Sequence, residues 1–228
     1  MEDILFLFEQ YPIFEGFWTN IQLAFWARSS ACSLGVILAL FRISPVRSMS
    51  WLSAAFINVV RNTPLTVLIV MAVLVFWGQL QINMHSNFDT NFFILATIAL
   101  SIYHAPFFAE AIRSGVNTVP QGQAEAARSI GLGFFPAARL VIIPQALRGA
   151  ITPIGNTLIA LIKNTTVAAA GSVMEASGVM RTMIEFNPNF MVAIFLIIAI
   201  WSATGFMSVV PETLKPGASL LLTRLASP

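Results

Sequence analysis

The chain has 228 residues, of which 57% are hydrophobic and only 10% are charged. A water-soluble domain carries about 25% charged residues, so this chain has too few charges to cover a surface that faces water. A single cysteine cannot form an internal disulfide. The net charge of +2 is too small to indicate a nucleic-acid-binding surface. The composition therefore predicts one integral membrane domain over residues 1–228, which contacts membrane lipid and no nucleic acid.

Five stretches are apolar and long enough to cross the hydrocarbon core, which takes about 20 helical residues. The predicted spans cover residues 17–41, 52–80, 92–113, 140–162 and 190–210. The second is overlong and contains Arg61-Asn62-Thr63-Pro64, so we expect its first part to be an interfacial helix or one half of a broken helix. The sequence thus predicts an all-α, polytopic bundle of five transmembrane spans.

Basic residues divide unequally between the two sides of this arrangement. One side carries eight of them: Arg42, Arg47, Arg113, Arg128, Arg139, Arg148, Lys215 and Arg224. The other side carries Lys163 and Arg181, and the N-terminal segment is acidic. Because short cytoplasmic loops are enriched in Lys and Arg, we expect the N-terminus outside and the C-terminus in the cytoplasm.

The longest predicted cytoplasmic connection, residues 115–136, contains a short amphipathic segment. Pro120 favours a helix start and Gly131 a helix end, so we expect a helix over Gln121–Ile130. Its small residues share one face and two charged residues project from it: Ala124, Ala127 and Ile130 or Gly131 on the face, with Glu125 and Arg128 outside. Such a helix suits mechanical coupling to a cytoplasmic protein, and an ordinary connector with an ion pair fits the residues equally well.

Several motifs resemble one family of membrane proteins. Glu125-Ala126-Ala127, followed by Gly131 and then by Pro144, resembles the Glu-Ala-Ala loop of ABC-importer permeases. Three further runs are similar to the polar amino-acid permeases of that superfamily: Arg61 to Leu65, Pro144 to Arg148 and Gly155 to Thr166. The run from Gly122 to Phe134 most resembles the glutamate-type permease subunits of actinobacteria, which ranks glutamate, or glutamine, first among substrates.

The resemblance implies a type I importer in the bacterial cell membrane. Two permease subunits, identical or homologous, would form the pathway for a small amino acid, and an extracytoplasmic substrate-binding protein would deliver it. An ABC ATPase dimer would contact the coupling residues Glu125, Ala126, Ala127, Arg128 and Gly131. ATP and Mg²⁺ would be bound by that ATPase, with no cofactor in this chain and no enzymatic activity of its own. Independently, neither Lys163 nor Lys215 lies in a glycine-rich phosphate-binding loop.

Charged and polar groups at membrane depth are costly, so each is a candidate for the substrate pathway. The candidates are Arg28, Arg61, Asn62, Thr63, Lys163, Asn164 and Thr165. Each has a structural alternative. Arg28 would pair with Glu110 or reach an interface, Arg61 would be an interfacial anchor before a kink, and Lys163 would reach the outer interface. For Glu110 itself, an ion pair with Arg113 is the favoured interpretation.

Other chemistry has little support in the sequence. His85 and His104 lie in different predicted elements without a cluster of carboxylates or thiols, so we expect no metal site. The serines lack a nucleophile elbow, so we expect no catalytic residues. Residues 175–189 are amphipathic and predict a short outer helix, which would meet the binding protein or merely cover the bundle.

Two other functional classes remain open on the residues alone. An autonomous channel or secondary transporter would need no ATPase, but five spans with no visible inverted repeat argue against it. A membrane scaffold without transport activity could also use a docking helix. The polar groups inside the spans favour a transport function over a scaffold, which would not need them.

Overall fold

The computed structural model describes residues 7–191, 194–195 and 198–199, and helices account for the regular structure of these residues. The helices are α1 (Ile13–Ile43), α2 (Arg47–Arg61), α3 (Leu65–Met71), α4 (Phe88–Asn117), α5 (Gln121–Ser129), α6 (Phe134–Ala137), α7 (Ile143–Asn164) and α8 (Ala176–Phe186). A π-helical segment, Ala72–Gln79, continues α3, and another, Ala138–Ile142, joins α6 to α7. The 3-10 segment Thr165–Gly171 follows α7, and Pro188–Phe190 follows α8. The all-α prediction is confirmed for this part of the chain.

Three continuous helical stretches are long and apolar enough to cross a membrane: Ile13–Ile43, Phe88–Asn117 and Phe134–Gly171. They correspond to the predicted first, third and fourth spans, each extended by several residues at its ends. The fifth predicted span, residues 190–210, lies almost wholly outside the described residues.

The predicted second span is two helices that meet at an angle of 95°, Arg47–Arg61 and Leu65–Gln79. The break falls where the sequence indicates it, because Pro64 lacks a backbone N–H and disfavours helical geometry in the residue before it. The 15 residues of α2 extend about 22 Å, which is less than the roughly 30 Å of a hydrocarbon core. The bent pair therefore counts as one further crossing only if both halves contribute to it.

Helix α4 lies at the centre of the bundle, and 56% of its most apolar window is buried, against 33% for α1. It packs against α1 on one side and α7 on another, and close approach depends on two glycines. A Cβ at Gly35 of α1 would lie 2.5 Å from the Phe108 Cβ atom of α4. A Cβ at Gly115 of α4 would lie 2.3 Å from the carbonyl oxygen of Ala146 in α7. Larger residues at either position would push the helices apart.

Candidate functional site

Helix α5 occupies the predicted coupling segment and agrees with the predicted bounds to within one residue. Pro120 precedes its first residue with an extended ψ of 139°, and Ile130 follows its last residue. Gly131 then adopts a φ of +86°, a left-handed conformation that favours glycine and reverses the chain. The predicted coupling segment is therefore a short helix that ends in a left-handed glycine.

The faces of α5 differ from the prediction at one position. Ala127 is buried, whereas Ile130 is 77% exposed, because Ile130 lies beyond the end of the helix and no longer follows its periodicity. Glu125, Ala126 and Arg128 are exposed. No ion pair joins Glu125 to Arg128 in the described residues, so their charges are free to meet a partner.

An exposed aromatic pair beside α5 was missed in the sequence. Phe134 and Phe135 are 82% and 81% exposed, and their rings stack edge to face at 5.8 Å. Phe135 also lines a shallow, mainly apolar cleft with Pro136, Arg139 and Leu140. The only sequence signal was the position of two large apolar residues directly after Gly133, in a connection otherwise made of small and polar residues.

A second group of candidate residues gathers along one face of α4. The Arg61 guanidinium carbon lies 5.5 Å from the centre of the Phe107 ring, and that ring lies 6.0 Å from the His104 ring. On its other side the His104 Nε2 atom lies 3.2 Å from the Asn164 Nδ2 atom. We name these four residues, Arg61, His104, Phe107 and Asn164, the α4 ledge. It joins the break between α2 and α3 to the end of α7.

The α4 ledge lies near the middle of its spanning helix. The 30 residues of α4 extend about 45 Å, which exceeds a hydrocarbon core of about 30 Å on both sides. His104 lies 16 residues after the first residue of α4 and 13 before its last. Asn164 contacts His104 and therefore lies at the level of the middle of α4, although it is only seven residues from the end of the continuous stretch Phe134–Gly171.

The other pathway candidates lie in different surroundings. Asn62 and Thr63 sit at the α2–α3 break beside Arg61, where the Thr63 hydroxyl donates to the Val59 carbonyl at 2.9 Å. Lys163 is exposed. Arg28 is exposed on α1, and its guanidinium carbon lies 5.6 Å from the Phe25 ring of the same helix.

The ion-pair alternatives can be decided for Glu110. Its carboxylate accepts from the Arg113 guanidinium at 2.7 Å, as the i, i+3 spacing predicted. The alternative pairing of Arg28 with Glu110 is wrong, because each of these side chains has its contact within its own helix. The Glu110–Arg113 pair is half-exposed, and Glu110 lies one turn after Phe107 on α4.

Thr165 belongs to a buried polar cluster that sequence reasoning did not find. The Asn20 amide of α1 donates to the Thr165 hydroxyl at 3.0 Å and to the Glu175 carboxylate at 2.9 Å. The same carboxylate accepts from the backbone N–H groups of Ser177 and Gly178 and so caps the N-terminus of α8. We name Asn20, Thr165 and Glu175 the Glu175 node. It ties α1, the end of α7 and α8 together.

Glu175 is fully buried, and this burial raises the pKa of its carboxyl group from 4.5 to about 7 against the opposing effect of its hydrogen bonds. The donors to the Glu175 carboxylate are the Asn20 amide and the backbone N–H groups of Ser177 and Gly178. Hydrogen bonds, and not an ion pair, therefore offset its loss of hydration. The predicted short helix within residues 175–189 is present as α8, Ala176–Phe186, and Glu175 is its N-cap.

In the described part of the chain, no three His, Cys, Asp or Glu side chains lie close enough together to hold a metal ion. The chemistry available at the α4 ledge is therefore that of a guanidinium, an imidazole and an amide, which bind carboxylate and ammonium groups by hydrogen bonds and charge.

Comparison with known proteins gives consistent matches. Residues 31–217 match the family model described as the binding-protein-dependent transport system inner membrane component. The chain is 44% identical over 196 residues to the glutamate transport system permease protein GluC of Corynebacterium efficiens, with 84% of each chain covered. It is 32% identical over 202 residues to the probable glutamine ABC transporter permease protein GlnM of Bacillus subtilis, covering 86% of this chain and 90% of that one.

Solved structures share the fold. A crystal structure of an amino acid ABC transporter with histidines superposes with a TM-score of 0.77 at 25% identity, covering 93% of each chain. An inward-facing structure of the MetNI methionine ABC transporter superposes with a TM-score of 0.61 over the full length of both chains. The identity to the second is 18%, so it supports the fold alone.

Proposed function

We propose that this chain, which belongs to the inner-membrane components of binding-protein-dependent transport systems, is a permease subunit that imports a polar amino acid. Glutamate is the favoured substrate, and glutamine is the alternative. Membership of this family makes it a multi-pass protein of the cell membrane, distinct from the ATPase subunit. The glutamate assignment rests on the similarity to the corynebacterial glutamate permease.

The proposed assembly contains a second permease subunit, identical or homologous, together with a pair of ABC ATPase subunits and an extracytoplasmic binding protein. ATP and Mg²⁺ are bound by the ATPase pair. In the membrane, this chain crosses five times with its N-terminus outside, an arrangement supported by the uneven distribution of Lys and Arg. The single domain covers residues 1–228.

The proposed ATPase contact is α5 and its end, through Glu125, Ala126, Ala127, Arg128 and Gly131. Glu125 and Arg128 are exposed and not paired with each other, so they offer one negative and one positive charge to a partner. Gly131 fixes the direction in which the chain leaves the helix. ATP-driven closure of the ATPase pair would move α5 and, through α6, the long helix that contains Asn164.

The observation that carries the substrate proposal is the α4 ledge, where the Arg61 guanidinium and the Asn164 amide contact neighbouring rings, Phe107 and His104, near the middle of a spanning helix. Charged groups at this depth are costly unless they face a partner or a water-filled path. The Arg61 guanidinium would bind a carboxylate of the substrate, and Asn164 would hydrogen-bond to its polar groups. Asn62 and Thr63 at the break would extend the same path, and Lys163, which faces a different direction from Asn164, would act from the exposed side of α7.

Two further pathway candidates would act from other positions. Arg28 lies on an exposed face of α1, so it would reach the pathway from the side of the second permease subunit. Thr165 would act indirectly, since its hydroxyl is engaged in the Glu175 node.

The test is reconstitution of the chain with its ATPase, second permease and binding protein in vesicles, followed by uptake of labelled glutamate and glutamine. We expect ATP-dependent uptake that falls at least about 10-fold in Arg61→Gln, because a charge-assisted hydrogen bond contributes about 1.5–3 kcal/mol. Arg47→Gln, at the other end of the same helix, is the matched control and should transport normally. Uptake without ATP would support an autonomous transporter instead, and equal uptake by the two variants would remove Arg61 from the pathway.

A further inference from the structure

His104 is a buried imidazole in the centre of the bundle that makes one polar contact through its side chain. Its side chain is 1% exposed, and its Nε2 atom lies 3.2 Å from the Asn164 Nδ2 atom. Its Nδ1 atom is buried and has no hydrogen-bond partner among the residues that the structure describes. Asn164, in contrast, is only half-buried.

This arrangement is a poor way to stabilise a bundle. In a neutral imidazole one ring nitrogen donates and the other accepts, so an Nε2 atom that accepts from Asn164 leaves the proton on Nδ1. A buried donor without a partner costs about 1–3 kcal/mol, and an apolar side chain of similar size would avoid that cost. The contact with Asn164 is therefore the feature of His104 that needs an explanation.

The contact fixes the orientation of the Asn164 amide. An asparagine amide can rotate to exchange its oxygen and nitrogen, and a single acceptor on one side removes that freedom. With Nδ2 turned toward His104, the Oδ1 atom is left as an acceptor, and within the described residues no protein donor reaches it. An acceptor beside the middle of a spanning helix matches the ammonium group that every amino acid carries.

We propose that His104 is a positioning residue that holds the Asn164 amide so that its Oδ1 atom accepts a hydrogen bond from the substrate ammonium group. This inference rests on the proposed amino-acid import, and it adds how the α4 ledge distinguishes the two ends of its substrate. Arg61 serves the carboxylate end, and Asn164, held by His104, serves the ammonium end.

The test uses three substitutions at position 104 in the complete reconstituted transporter. The side-chain amide of Gln reaches about as far as Nε2, so His104→Gln can still accept from Asn164. The shorter amide of Asn reaches only about as far as Nδ1, so His104→Asn keeps polarity without the contact. His104→Leu removes both nitrogens. Ser101→Ala, one turn earlier on α4, controls for loss of a buried polar group.

We expect His104→Asn and His104→Leu to lower the amount of amino acid imported per ATP by about 10-fold, and His104→Gln and Ser101→Ala to stay within about 2-fold of wild type. The thermal stability of His104→Leu should equal or exceed that of wild type, because an unpaired buried nitrogen is removed. Combining His104→Leu with Asn164→Ala should be no worse than Asn164→Ala alone, since both act on one contact.

Three results would overturn the inference. If His104→Leu transports normally, the contact has no role in transport. If all three substitutions lower transport in step with thermal stability, His104 is only structural. If the double variant shows additive losses, His104 does not act through Asn164. A wild-type transporter that imports no amino acid would overturn the proposed function and this inference together, whereas the first three results leave the proposed function standing.

Discussion

Protonation of Glu175 should control how firmly α8 is attached to the bundle. The pKa of this carboxyl group is raised to about 7 by burial, whereas its unfolded value is 4.5. Between pH 4.5 and about pH 7, the carboxyl group therefore keeps its proton in the native protein and loses it in the unfolded chain. The contribution of Glu175 to stability is then full below pH 4.5, falls as the pH rises toward 7, and levels off above it.

The size of this effect follows from the shift itself. One pKa unit corresponds to about 1.36 kcal/mol, so the difference between 4.5 and about 7 corresponds to about 3 kcal/mol of unfolding free energy. Solvent screens this effect little, because Glu175 is fully buried. The substitution Glu175→Gln removes the titration and keeps an oxygen that can accept from Asn20.

The assay is thermal unfolding of the purified protein in mild detergent between pH 5 and 8. Wild type should lose stability across this range, and Glu175→Gln should lose much less of it. Glu185→Gln, an exposed position on the same helix, should follow wild type. Parallel pH profiles for wild type and Glu175→Gln would refute the reasoning, because the pH dependence would then come from other groups.

Three further predictions concern packing, the coupling helix and the substrate path. Gly115→Ala should reduce the yield of folded, monodisperse protein, because the new Cβ atom would lie 2.3 Å from a backbone carbonyl oxygen. Gly122→Ala should leave that yield unchanged, because a Cβ atom there would have no neighbour within 4 Å. Gly131→Ala should lower uptake per ATP without affecting membrane insertion, because an alanine held at a φ of +86° costs about 1–2 kcal/mol. Uptake per ATP equal to that of wild type would contradict this. Lys163→Gln should reduce substrate-stimulated ATPase activity more than basal activity, and unchanged values of both would remove Lys163 from the pathway.

The features that could be predicted from the sequence are those set by residues close together in the chain. The apolar stretches of α1 and α4, the start of α5 after Pro120 and its end at Gly131 all depend on local composition and backbone preferences. The break at Pro64 is local in the same sense. Its angle of 95° is not, because it depends on what α2 and α3 pack against. The Ser53 hydroxyl of α2, for example, donates to the Leu38 carbonyl of α1.

The side-chain contacts of the two polar sites could not be predicted, because they join residues far apart in the chain. His104 and Asn164 are separated by 60 positions, and Asn20 and Glu175 by 155. No periodicity or motif in a single sequence indicates which of two distant polar residues will face each other. The sequence therefore gives no reason to assign His104 to a site, and it indicates Glu175 only as part of an amphipathic outer segment.

The end of α7 shows why adjacent polar residues need not form one site. Successive residues of a helix point about 100° apart, so Lys163, Asn164 and Thr165 face three directions. Lys163 is exposed, Asn164 contacts His104 of α4, and Thr165 is buried against Asn20 of α1. Because Asn164 and Thr165 are joined by a peptide bond, a movement of α7 that changes the α4 ledge must also displace the hydroxyl in the Glu175 node. The candidate substrate site and the attachment of α8 are therefore mechanically linked through a single residue step.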